Sequence, residues 1–112
     1  MIPSKDGKIT FTMEEIIVTR FALNIFLQTD FTGLTSKKEE MAAKELAEEV
    51  IDKLSRGIDD FKHKELCVMA GAIDNLTELI KAGEDLNISE AQAKNCKFFL
   101  PSAKRKLIEL IS

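Results

Sequence analysis

The stretch Thr12–Gln28, TMEEIIVTRFALNIFLQ, constrains this chain more than any other, because it joins a helix-start signal to the densest apolar content in the sequence. Thr12 and Glu15 have the spacing of a reciprocal capping box, and Phe11 and Ile16 that of the accompanying hydrophobic staple. Beyond Glu15 only Thr19, Arg20, Asn24 and Gln28 interrupt the apolar run. At 3.6 residues per turn Arg20, Asn24 and Gln28 share one narrow stripe, so most of the helix circumference must be covered. Lipid is a poor cover, since the run falls short of the roughly 20 apolar residues of a bilayer span and carries Arg20 near its middle. A secretory leader fits no better: charged residues precede the run and no small-residue cleavage site follows it. The expected setting is soluble and cytoplasmic, with no membrane partner.

The rest of the chain reads as further helices. Ser36 with Glu39 starts a second helix, about 37–56, with Ala43, Leu46, Ala47, Val50 and Leu54 on one face and Glu40–Lys44, Glu49–Lys53 and Asp52–Arg56 as outer ion pairs. Gly57 ends it, and Asp59 or Asp60 is placed to cap a third helix, about 60–81, so the two form an antiparallel hairpin. That third helix contains LCVMAGAI over 66–73, and its Ala70-Gly71-Ala72 step suggests a close crossing with the first helix. Ser89 with Gln92 starts a fourth, about 89–99. Pro101 lacks an amide hydrogen, which predicts a break followed by a short terminal helix, about 102–111. Residues 1–11 hold Pro3 and an Asp6-Gly7 turn signal and read as a short extended arm. The expected fold is therefore all-α, a bundle of four main helices plus a short terminal one, in a single domain over 1–112. No repeat at solenoid length and no low-complexity tract interrupts it.

Chemistry is sparse. The five glycines are isolated, which excludes a phosphate-cradling loop, and Cys67 and Cys96 lack the spacing of a zinc knuckle or a CxxC pair; both read as small buried or half-buried thiols. The single histidine, His63, stands one turn from Asp59 and Asp60 and reads as a solvated side chain. Glu45-x-x-Glu48 and Glu49-x-x-Asp52 invite comparison with the paired carboxylate motifs of all-α nucleotide pyrophosphohydrolases. There, however, the pairs sit on facing helices, whereas here both lie on one, alternating with lysines. The expectation is a non-catalytic protein with no cofactor and no metal.

Charge is unevenly spread around a net of −3: residues 58–93 hold three lysines against eight carboxylates, and residues 94–112 hold five cations against Glu109 alone. The two segments face each other or water in the simplest reading. Otherwise Lys94, Lys97, Lys104, Arg105 and Lys106 form a basic patch that suggests a nucleic-acid-binding regulator as the alternative function. The leading expectation is a small helical protein–protein interaction module, a homodimer and a regulatory or inhibitory partner of a larger bacterial or phage complex. Its candidate interface residues are Phe21, Phe26, Phe31, Phe98 and Phe99, because aromatic side chains concentrate interface energy.

Overall fold

The computed structural model describes residues 10–31, 33–83 and 86–111, all helix and connection with no β-strand among them. Four helices follow one another: α1 (Met13–Gln28), α2 (Lys37–Ser55), α3 (His63–Lys81) and α4 (Glu90–Ile111). The extended arm expected at the start lies almost wholly outside the described residues. No described helix is long and apolar enough to cross a membrane.

The helix starts follow from side-chain chemistry. Thr12 Oγ1 accepts the Glu15 N–H at 3.2 Å while the Glu15 carboxylate accepts the Thr12 N–H at 2.8 Å. Ser89 and Gln92 make the same reciprocal pair. Ser36 accepts the Glu39 N–H, but its own hydroxyl, not its backbone, answers the Glu39 carboxylate. At the far end of α2, Gly57 (φ +75°) takes the left-handed conformation. This lets the Gly57 and Ile58 amides reach the Leu54 and Lys53 carbonyls, a Schellman motif.

Three expectations are corrected. The third helix begins at His63, not near residue 60: Phe61 is buried, and the Glu65 carboxylate accepts the Lys62 N–H at 2.7 Å in place of an aspartate cap. Gly71 faces solvent, and a Cβ there would meet nothing within 4 Å, so no close crossing uses it. The chain also does not break at Pro101, because α4 runs through it as one helix. An interior proline costs about 3 kcal/mol in a helix that has only local hydrogen bonds to hold it. Here Cys96 and Leu100 on one side and Ala103 and Leu107 on the other are buried in the same core, while Lys97 and Pro101 face solvent. Burial on both sides of Pro101 holds the helix together.

The packing has an internal regularity. α1 and α3 lie against each other, both touch α2 and α4, and α2 and α4 do not meet. Exchanging the hairpin α1–α2 for the hairpin α3–α4 leaves this scheme unchanged. The buried positions follow it: Glu15, Thr19, Ala22 and Leu23 on α1 recur as Glu65, Met69, Ala72 and Ile73 on α3. Ala47, Val50 and Leu54 on α2 recur as Leu100, Ala103 and Leu107 on α4. Few identities survive between the hairpins, but the burial phase is the same.

Candidate functional site

Each of the two central helices carries a buried glutamate in its first turn, and each glutamate is held by the other hairpin. Glu15 is 3 % exposed and accepts from Lys106 Nζ of α4 at 2.6 Å, from the Ser102 hydroxyl at 2.6 Å and from its own Thr12 N–H. Glu65 is 2 % exposed and accepts from Lys53 Nζ of α2 at 2.8 Å. Both lysines also lie over a phenylalanine just ahead of the glutamate's helix, Lys106 over Phe11 at 6.0 Å and Lys53 over Phe61 at 5.5 Å. Burial alone pushes the Glu15 carboxyl up, but the Lys106 ammonium, the Ser102 hydroxyl and the Thr12 N–H outweigh it and hold it at about 2. Glu65 is likewise lowered: burial acts against the charge, and Lys53 with the Lys62 N–H acts more strongly for it. Each carboxylate accepts both from a lysine of the other hairpin and from a backbone N–H at the entrance to its own helix, which fastens hairpin to hairpin.

The clasps decide what becomes of the basic patch. Lys106 is turned inward to Glu15, and Lys104 pairs with Asp74 of α3, joining the acidic and basic segments within one molecule. Lys94, Lys97 and Arg105 remain on the outer side of α4. Lys53 is taken from the Glu49 pairing expected of it, whereas Lys44 with Glu40 and Arg56 with Asp52 pair as their spacing implies.

The phenylalanines separate in the same way. Phe21, Phe26 and Phe99 pack on the core, half-buried. Phe31 stacks on Phe26 at 5.1 Å beneath the Lys44 ammonium, closing the connection between α1 and α2. Phe98 alone of the five stands out: it is 74 % exposed, resting edge-on against Phe99 at 4.9 Å. At helical spacing Lys94, Phe98, Pro101 and Arg105 share one stripe, flanked by Lys97 and by Ile108, which is also exposed. Neither the aromatic list nor the charge list read alone places Phe98 among the cations. The spacing 94, 98, 101, 105 does, once α4 is known to be unbroken.

Cys96 is buried, which pushes its thiol up, while Cys67 is exposed, contrary to its expected burial, with Sγ 3.6 Å from His63 Nε2. Glu45, Glu48, Glu49 and Asp52 point outward from α2, and no group of three potential metal ligands gathers among the described residues. Pro101, Leu100, Cys96, Thr77 and Ile80 line a shallow groove of about 420 Å³ between α3 and α4. No protein family, curated protein or solved structure matches the chain.

Proposed function

We propose that this protein is a small non-catalytic helical protein–protein interaction module, a regulatory or inhibitory partner within a larger complex, and that it docks through the outer face of α4. The observation that carries this reading is Phe98, the one candidate anchor not used inside the bundle, set among Lys94, Lys97 and Arg105. An aromatic side chain ringed by cations suits an acidic protein surface, where the ring contributes the buried area and the charges set orientation. A nucleic-acid-binding regulator has less support. With Lys104 and Lys106 committed to Asp74 and Glu15, three outward cations remain from the five, a small footprint for a phosphate backbone.

A photocrosslinking residue at position 98, compared with one at position 71 on α3, tests the proposal in extract of the native cell. The expected result is a discrete protein adduct from position 98 and none from position 71. Equal labelling from both positions overturns the reading. Adducts from position 98 that vanish on nuclease treatment transfer the function to nucleic acid.

A further inference from the structure

The two hairpins match inside and oppose each other outside. Along its outer side α2 presents Lys37 and Lys38, then Glu45, Glu48, Glu49 and Asp52, and Arg56 at its C-cap, all exposed. α4 presents the inverse order on its outer side: Glu90, then Lys94, Lys97 and Arg105, then Glu109, also exposed. The end charges, 37 to 56 on one helix and 90 to 109 on the other, are separated by the same length of helix. Laid antiparallel, the two faces bring Lys37 opposite Glu109, Glu49 opposite Lys97, Asp52 opposite Lys94 and Arg56 opposite Glu90. In that register Lys38 falls opposite Ile108, and no two like charges are directly opposed. Met41 is the exposed large apolar side chain on the outer part of α2, as Phe98 and Ile108 are on α4; in that register Met41 lies opposite Arg105 and Phe98 opposite Glu48.

Within one molecule these faces cannot meet, because α1 and α3 stand between the helices and α2 and α4 share no contact. Two α4 faces brought together would set cation against cation. We infer that the outer face of α4 docks on the outer face of α2 of a second copy, so that molecules associate head to tail. This rests on the docking role of α4 proposed above and names a second copy of the chain as its partner. Such a contact is heterologous: each molecule keeps a free α2 face and a free α4 face after binding, and growth continues past two copies unless a ring closes. It joins exposed ion pairs along one helix face, a small area for a stable interface, so it is reversible and sensitive to salt.

Sedimentation velocity over a range of protein concentrations, in about 0.01 M and about 1 M salt, is the test. At low salt the mass climbs with concentration beyond two copies; at high salt the protein is a monomer. The exposed double variants Lys94→Glu with Arg105→Glu, and Glu49→Lys with Asp52→Lys, each weaken association about tenfold or more, and their equimolar mixture recovers it. Phe98→Ala weakens it without changing charge, which separates docking from an effect of net charge. Helical circular dichroism confirms that each variant is folded. The inference is overturned by a wild-type monomer in low salt at every concentration, or by a mass that stops at two and ignores the α2 substitutions. Either result, with position 98 still crosslinking to a different protein in extract, removes self-docking and leaves the interaction module standing. Loss of both signals removes both.

Discussion

The hairpins α1–α2 and α3–α4 place the same kinds of residue at the same inner positions and different kinds at the outer ones. Inside, each supplies a buried glutamate to its first helix and a lysine from its second helix to the other hairpin's glutamate. Outside, the acidic middle of α2 corresponds to the cationic, aromatic middle of α4. The contrast shows which part of the sequence is fixed by packing and which is free to carry specificity. Core positions favour apolar or fully partnered side chains, Thr19 excepted, because an unpaired polar group there loses its water without compensation. Outer positions carry no such requirement, so their charge is available for recognition.

The inner equivalence can be broken most sharply at the two phenylalanines. Phe61 is 3 % exposed, whereas Phe11 is half-buried. Phe61→Ala should therefore destabilise by about 3–5 kcal/mol and Phe11→Ala by about 1–2 kcal/mol in urea unfolding. Equal losses would show that Phe11 is as enclosed as Phe61 and that the two positions are equivalent.

Next in size is the pair of clasps. Glu15 stands at about 2 against an ordinary 4.5, a difference on the order of 3 kcal/mol. Its folded value lies below the unfolded one, so the stabilisation is complete above about 4.5 and is lost as pH falls towards 2. Glu65 is shifted in the same direction and adds to the same acid limb. Glu15→Gln should cost about 3 kcal/mol at neutral pH and flatten the acid limb of the stability profile. Glu65→Gln should cost less, since Glu65 has no counterpart of the Ser102 hydroxyl. An acid limb unchanged by Glu15→Gln would show that the carboxylate is not held as described.

Two smaller changes sharpen the comparison. Thr19, equivalent to Met69, is fully buried and its hydroxyl has no partner among the described residues. Thr19→Val keeps the shape and should raise stability by about 1 kcal/mol. Gly71, equivalent to the half-buried Phe21, faces solvent with room for a methyl group. Gly71→Ala should add about 1 kcal/mol through helix propensity alone. A loss of stability at either site, followed by thermal unfolding, would mean that a neighbour not seen here occupies the space.

Much of the fold is legible in the chain. Thr12, Ser36 and Ser89 mark three helix starts and Gly57 marks an end, because these signals act over four residues and need no distant partner. What stays hidden depends on contacts remote in sequence. The start of α3 rests on Phe61 reaching the core and on Glu65 capping a lysine that has no acceptor of its own. The continuity of α4 through Pro101 rests on Leu100 and Ala103 being buried together. Glu15 reads as a capping residue in the sequence, and nothing local reveals Lys106, ninety-one positions away, as its partner. For the same reason the five phenylalanines could be named as anchors, but only burial separates Phe98 from the other four.

The exchange of lysines between hairpins has a consequence for how the polypeptide is strung. Lys106 donates to the Thr10 carbonyl at 2.8 Å, which sets the end of α4 beside the entrance to α1, as the end of α2 stands beside the entrance to α3. The covalent order of the hairpins is therefore expected to be interchangeable: a circular permutant opened between Ile58 and Asp60, which leaves Phe61 and Lys62 attached to α3, and tied from Ile111 to Thr10 should retain both clasps. Either hairpin expressed by itself lacks the cation that neutralises its own sequestered carboxylate, so the two must be present together before either is secure.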